Sequence, residues 1–151
     1  MIAATISMIT IFSVGIVLSD GHRGYTAMYD RIYSDVVADS HVARRVFDSV
    51  IRKSSSQGFS IDSGGQWVEV CHYADDSSTS LDRYAKFYVS DGDLLVEYGQ
   101  LGPKTTLSVE VICNDVSSCA FRYNGRSVRM ILTVNDDSQE LTTVTSAVMH
   151  N

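Results

Sequence analysis

The stretch Met1-Ile-Ala-Ala-Thr-Ile-Ser-Met-Ile-Thr-Ile-Phe-Ser-Val-Gly-Ile-Val-Leu18 opens the chain and contains no charged residue. Only small residues interrupt its large apolar side chains. As an α-helix this stretch would be roughly 27 Å long, just short of the ~30 Å hydrocarbon core of a bilayer. The sequence therefore predicts either a short membrane span or an apolar helix buried among copies of itself.

A second helical pattern follows over residues 25–52. Apolar residues recur there at intervals of three and four, at Tyr25, Met28, Tyr29, Ile32, Tyr33, Val36, Ala43, Val46, Phe47, Val50 and Ile51. Charged residues fill the other positions, and the run Ser54-Ser-Ser-Gln-Gly58 is typical of a helix end. We therefore predict one long helix with two parts, an apolar part over residues 1–24 and an amphipathic part over residues 25–55.

Beyond residue 58 the apolar period changes from 3.6 to 2, which predicts β-strands. The predicted strands cover residues 67–73, 83–89, 94–98, 107–113, 119–123, 128–134 and 141–149. Two dipeptides, Asp91-Gly92 and Asn124-Gly125, favour tight hairpins because they tolerate positive φ angles. The short connections predict an antiparallel sheet over residues 56–151. The predicted fold class is thus α+β, with a long N-terminal helix packed on this C-terminal antiparallel sheet.

The charge balance excludes one class of partner. The chain of 151 residues has a formal net charge of -6 and a pI near 5.0, and its lysines and arginines are scattered along the sequence. Nucleic-acid binding needs a basic surface that neutralises phosphates. We therefore predict no nucleic-acid partner.

No motif of an enzyme is present. The four histidines, His22, His41, His72 and His150, are dispersed, and His72 would point to the opposite strand face from Cys71, which makes that pair a poor metal clamp. The chain also lacks a nucleophile elbow, a phosphate-binding loop and a dinucleotide-binding glycine pattern. We predict that the protein is not an enzyme and needs no cofactor.

Cys113 and Cys119 are the candidates for a disulfide bond. Residues 114–118 between them are turn-forming and could fold the two cysteines to face each other across a hairpin. The alternative is that both are small buried apolar residues. The third cysteine, Cys71, is predicted to be buried and free.

Taken together, these segments resemble type IV pilins and type II secretion pseudopilins. Residues 1–8, Met-Ile-Ala-Ala-Thr-Ile-Ser-Met, look like the stretch just after the Phe-Thr-Leu-Ile-Glu run of that family. Either such residues precede Met1 or the protein lacks the processing site of the family. The run Ala43-Arg-Arg-Val-Phe-Asp-Ser-Val-Ile-Arg-Lys53 looks like the helix end of J-type minor pseudopilins. The tail Thr145-Ser-Ala-Val-Met-His-Asn151 is similar to their closing strand, with His150 where an arginine is common.

The resemblance implies a structural subunit of a helical type IV pilus or type II secretion pseudopilus filament. Such a subunit is anchored in the inner membrane before assembly and then forms part of a cell-surface or periplasmic filament with copies of itself or related pilins. Small residues in the apolar helix would allow copies to approach closely. The residues expected to pack between subunits are Ala3, Ala4, Ser7, Ile11, Phe12, Gly15, Tyr25 and Tyr29.

Two further expectations stay open at this point. Some pilin relatives hold Ca²⁺ in acidic loops, which makes Asp91, Asp93, Asp136 and Asp137 calcium candidates, although the turn-forming role of aspartate explains them more simply. The alternative function is a monomeric, membrane-anchored binding module outside the cytoplasm. A secreted enzyme is a third and lower hypothesis.

Overall fold

The computed structural model describes residues 35–75, 78–137 and 139–150. They form one helix followed by eight strands. The helix is α1 (Asp35–Lys53), and the strands are β1 (Phe59–Ile61), β2 (Trp67–His72), β3 (Arg83–Ser90), β4 (Asp93–Leu101), β5 (Lys104–Cys113), β6 (Val116–Asn124), β7 (Ser127–Asn135) and β8 (Glu140–Val148).

Helix α1 is amphipathic and ends where the sequence indicates. Its buried apolar positions, Val36, Ala43, Phe47 and Ile51, are separated by intervals of four or seven, so they lie on one face. Two basic residues, Arg52 and Lys53, occupy the last turn, where cations complement the negative end of the helix dipole. The hydroxyl of Ser54 then donates to the carbonyl oxygen of Ile51 at 2.6 Å and satisfies one of the terminal acceptors.

The strands form two antiparallel sheets. The five-stranded sheet has the order β1-β2-β3-β4-β5, and the three-stranded sheet has the order β6-β7-β8. The sheets are joined through backbone hydrogen bonds at two places, from Phe121 N to the Gly65 oxygen at 2.7 Å and from Val116 N to the Gly92 oxygen at 2.7 Å. Because neighbouring strands in each sheet are also consecutive in the sequence, each sheet is a meander. The chain passes from the first sheet to the second between β5 and β6.

The two predicted tight hairpins are confirmed. In the β3–β4 hairpin Ser90 pairs with Asp93, and in the β6–β7 hairpin Asn124 pairs with Ser127. Asp91 and Gly92 have φ angles of 54° and 87°, and Gly125 has a φ angle of 63°. These positive angles are the ones that such turns require and that Asp, Asn and Gly tolerate.

The core lies where the helix meets both sheets. The ring of Phe47 on α1 is 5.3 Å from that of Phe87 on β3 and 6.1 Å from that of Phe121 on β6. All three side chains are fully buried. Buried residues of β2, β4 and β7, mostly valine, leucine and methionine, extend this cluster. One hydrophobic core thus unites the helix and the two sheets.

The prediction of an α+β fold, a long N-terminal helix on one antiparallel sheet, is wrong. The described chain is predominantly β, with eight antiparallel strands in two sheets and one helix of 19 residues. Alternation of apolar residues identifies strands but not the strands they pair with. The sequence therefore did not reveal that β6 pairs with β7 in a second sheet and not with β5. The apolar part of the predicted helix, residues 1–24, lies outside the described residues. Among the residues described, no helix is both long and apolar enough to cross a bilayer.

Strand β5 departs from the expected burial. Its apolar residues Leu107, Val109 and Val111 are 59%, 48% and 51% exposed, although the sequence predicts an apolar face turned towards the helix. β5 is an edge strand of the five-stranded sheet, and only its last two residues, Ile112 and Cys113, are buried. The alternating apolar residues of β5 therefore correctly predicted a strand but not a buried strand face.

Candidate functional site: a basic surface along the helix

An open cleft lies at the end of α1. Its volume is about 590 Å³, and its walls come from the helix end, the end of β2 and the last described residues of the chain. The residues that line it are Arg52, Lys53, Ser54, Ser55, His72, Tyr73, Ala74, Asp75 and His150. Backbone hydrogen bonds hold these walls together, because Ser55 N donates to the Cys71 oxygen at 2.8 Å and Ser56 N donates to the His150 oxygen at 3.1 Å.

Two neighbouring clefts extend this site. One, of about 320 Å³, is lined by Arg52, Arg126, Val148, Met149 and His150. The other, of about 450 Å³, is lined by His41, Arg44, Arg45, Asp48, Arg52, Val144, Thr145 and Ser146. Arg52 lines all three clefts, so together they form a single surface along α1 and β8.

We call this the basic surface and define it by Arg44, Arg45, Arg52, Lys53 and Arg126. These five cations are accompanied by two carboxylates, Asp48 and Asp75. Asp48 accepts a hydrogen bond from the Nε of Arg52 at 2.7 Å, one helical turn away, and this contact raises the pKa of Arg52. An excess of positive charge thus faces solvent on a chain whose net charge is -6.

His72 lines the cleft at the end of α1. Burial lowers the pKa of its imidazole, although nearby Asp82 acts in the opposite direction. Its Nδ1 atom is buried and has no hydrogen-bond partner in the structure. The neutral ring is therefore the stable form at neutral pH, and His72 adds no charge to the site.

The arrangement favours binding of carboxylates. Arginine and lysine side chains on an open, partly polar surface attract anionic groups and donate charge-assisted hydrogen bonds to them. Among the described residues, no group of three histidine, cysteine or acidic side chains is placed to hold a metal ion. The chemistry of this surface is recognition of negative charge.

A second charged region lies at the opposite end of α1. There Asp39 accepts hydrogen bonds from Asn114 N at 3.3 Å and from Asn114 Nδ2 at 3.2 Å. Asn135 N donates to the Asp115 oxygen at 2.8 Å, and Val116 N donates to the Gly92 oxygen. These bonds bring the helix start and three turns together.

We call this region the acidic end, and its carboxylates are those of the helix start and of the β3–β4, β5–β6 and β7–β8 connections. They are Asp39, Asp91, Asp93, Asp115, Asp136, Asp137 and Glu140. No lysine or arginine occurs in the sequence of the three connecting segments, residues 90–93, 113–116 and 135–140. The calcium candidates Asp91, Asp93, Asp136 and Asp137 thus belong to turns at one end of the molecule. Asp136 accepts a hydrogen bond from Gln139 N at 2.8 Å, as expected of a turn former.

The cysteines are free thiols in the structure. The hairpin that was expected to bring Cys113 and Cys119 together does not form, because β5 and β6 belong to different sheets. Both residues contact the hydrophobic core and interact electrostatically with each other, and burial is the main cause that raises the pKa of each thiol to about 12. The disulfide itself stays a prediction. Cys71 is only half-buried, and burial also raises the pKa of its thiol.

The residues predicted to pack between subunits fall outside the described part of the chain. They are Ala3, Ala4, Ser7, Ile11, Phe12, Gly15, Tyr25 and Tyr29. By contrast, the basic surface was missed by the sequence analysis. Its arginines come from positions 44 to 126 and are scattered along the chain. The adjacent pairs Arg44-Arg45 and Arg52-Lys53 were the local concentrations of positive charge that the sequence showed, the second at a predicted helix end.

Comparison with known proteins adds no relative. No protein-family model matches the chain, and no curated protein is significantly similar to it.

Proposed function

We propose that this protein is a structural subunit of a helical filament of the type IV pilus or type II secretion pseudopilus kind, polymerising through its apolar N-terminal segment. It would be anchored in the inner membrane before assembly and exposed on the cell surface or in the periplasm afterwards. Copies of this chain or related pilins would be its partners. It would work without a cofactor and without catalysis.

One observation carries the proposal: helix α1 is fixed in the core by Phe47, which contacts aromatic rings of both sheets. The apolar segment ends at Leu18, and sixteen residues, 19–34, lie between it and the first described residue of α1. The chain that leads from the apolar segment therefore enters the β domain through a helix that the domain cannot release without unfolding. Such a connection suits a subunit that holds its neighbours by an apolar segment and displays a folded domain.

The pieces that carry the family resemblance also support this proposal. The run from Ala43 to Lys53 forms most of α1, and residues 145–148 belong to β8, which packs against that helix. Arg52, Lys53 and His150 line one cleft. Two segments that are far apart in the sequence are thus neighbours in the fold.

The alternative is a monomeric, membrane-anchored binding module, and one observation favours it. The exposed apolar residues of β5 lie on an edge strand, and an edge strand can accept an extended peptide as an additional strand. A binding module of this kind would need no contact between its own copies. The two functions therefore differ in whether the purified protein polymerises.

The test is sedimentation of the full chain after removal of detergent. We expect wild-type protein to form a sedimenting polymer, because the apolar segment can leave detergent only if copies bury it. Ser7→Leu and Gly15→Leu should reduce polymerisation while keeping the segment apolar, because bulky side chains prevent close helix approach. Ile11→Leu is the matched control and should polymerise like wild type. Wild-type protein that stays monomeric in lipid would contradict the proposal and favour the binding module.

A further inference from the structure

The basic surface and the acidic end lie near opposite ends of the same helix. Asp39 is in the first turns of α1 and contacts the β5–β6 turn, whereas Arg52 and Lys53 occupy its last turn. A helix of 19 residues is roughly 28 Å long. Asp39 and Arg52 are thirteen residues apart, roughly 20 Å along the helix axis, which exceeds the ~8 Å Debye length at physiological ionic strength. Arg44 and Arg45 lie nearer to Asp39, so the separation of charge holds between the acidic end and the Arg52–Lys53 part of the basic surface.

We infer that the basic surface is the docking site for the acidic end of a second copy of this chain. This inference rests on the proposed function, which requires that subunits contact one another in a repeating way. A contact between two different surfaces of identical subunits is heterologous, and it continues into an open chain when the rotation does not close a ring. The structure thus assigns a direction to assembly, with the C-terminal end of α1 in one copy facing the start of α1 in the next.

Charge complementarity favours the acidic end of a second copy as the partner of the basic surface. The basic surface presents five cations and two carboxylates, one of which, Asp48, is already bonded to Arg52. The acidic end presents seven carboxylates, and its three connecting segments contain no lysine or arginine. Like surfaces of two copies would repel each other, so acidic end against acidic end is disfavoured and acidic end against basic surface is favoured.

The shape of the basic surface also suits an inserted turn. Its three clefts have volumes of about 590, 450 and 320 Å³. The acidic end consists of tight turns, and Asp91 and Asp137 are exposed at positive φ angles of 54° and 68°. Projecting turns with carboxylates can enter open clefts lined by arginine and lysine, where charge-assisted hydrogen bonds form.

The test measures self-association of the full chain in detergent micelles, where the apolar segment is covered and the β domains can still meet. Analytical ultracentrifugation should show concentration-dependent association of wild-type protein that weakens as salt is raised. The variant Lys53→Gln with Arg126→Gln should associate roughly tenfold more weakly. The matched control is Lys86→Gln with Lys104→Gln, which removes the same charge from the five-stranded sheet and should associate like wild type.

Reciprocal charge reversal identifies the partner surface. Lys53→Glu with Arg126→Glu makes both regions acidic, and Asp93→Lys with Glu140→Lys leaves the acidic end with five carboxylates and two lysines. In a mixture, the intact acidic end of the first variant can still meet the intact basic surface of the second. We expect each variant alone to lose self-association and an equimolar mixture of the two to recover it. Thermal unfolding of each variant, followed by circular dichroism, verifies that it is folded.

Three results would overturn the inference. They are equal weakening by the control pair, failure of the mixture to recover although both variants are folded, and wild-type association that stops at a dimer, which would mean a closed contact. These results are separate from the proposed function. If the Lys53 and Arg126 variants still polymerise like wild type after detergent removal, the docking inference is wrong and the filament proposal stands. If wild-type protein associates in detergent but never polymerises after detergent removal, the filament proposal is wrong and the docking inference stands.

Discussion

At the scale of single residues, Tyr84 and Gly99 show how a side chain on the outer face of the five-stranded sheet is fixed. Tyr84 on β3 lies beside Gly99 on β4, and its hydroxyl donates to the Glu97 carboxylate at 2.6 Å. The ammonium group of Lys104 is 4.7 Å from the centre of the Tyr84 ring and also contacts Glu69. The absence of a side chain at residue 99 leaves the space that the tyrosine ring occupies.

Gly99→Ala should destabilise the fold. An added Cβ would collide with the Tyr84 ring and with the backbone oxygen of Thr105. We expect a loss of about 1–3 kcal/mol in the free energy of unfolding, typical of an overpacked site. Urea unfolding measures it, with Gly102→Ala as the control, because a Cβ there would meet no atom within 4 Å. A loss no larger than that of the control would contradict this interpretation.

The lowered pKa of His72 predicts how the free energy of unfolding depends on pH. Burial lowers the pKa of its imidazole in the folded protein below the ordinary histidine value of 6.5, so the unfolded chain binds the proton more readily. Its contribution to stability is therefore complete above the unfolded pKa and is lost as the pH falls through 6.5 towards the folded pKa. The free energy of unfolding should decrease between about pH 8 and about pH 5, and less steeply in His72→Gln. Identical pH slopes in the two proteins would contradict the assignment.

At the scale of elements, the sequence predicted the strands better than the way they combine. The turn dipeptides Asp91-Gly92 and Asn124-Gly125 determine their hairpins locally, so both were predictable. The connection at Asn114-Asp115 also contains turn-forming residues, yet Val116 bonds to Gly92 and leads β6 into a second sheet. That choice depends on contacts between distant parts of the chain. Strand β1 was missed because three residues are too few for a periodic signal.

The same limit applies to the charged surfaces. Each arginine of the basic surface reads in the sequence as one charge on a solvated face, which is the usual case. Packing of α1 on β8 and the return of the chain at His150 bring Arg126 close to Arg52. The tight turns at Asp91, Asp93, Asp136 and Asp137 were recognisable, but their position at one end followed only from the topology. The charge and turn-forming tendency of each residue were therefore predictable, but the fact that the fold brings these residues together was not.

The contacts of α1 with the two sheets lead to a further prediction. Phe47→Ala should reduce the free energy of unfolding by about 3–5 kcal/mol, because it removes the ring that contacts both Phe87 and Phe121. Val42→Ala on the same helix is the control, since Val42 is 50% exposed and its truncation should cost no more than about 0.5 kcal/mol. Chemical denaturation of the two variants compares them. Similar losses would mean that α1 is not the element that unites the core.

At the scale of the whole molecule, the domain has a polarity that follows the helix axis. Carboxylates from three turns and the helix start gather at one end, and arginines and a lysine extend from the middle of α1 to the other. The helix is fixed in the core between these regions by Phe47. A rigid domain with unlike ends suits directional stacking, and an apolar N-terminal segment suits burial among parallel copies.

The measurement that tests the filament proposal most directly is electron microscopy of the purified full-length protein after detergent removal. The account predicts helical polymers with the apolar segments along the axis and the β domains outside. Gly15→Leu should shorten or abolish them, and Ile11→Leu should leave them unchanged. Dispersed single domains or membrane-bound monomers in the wild-type preparation, with no helical polymer, would contradict the account.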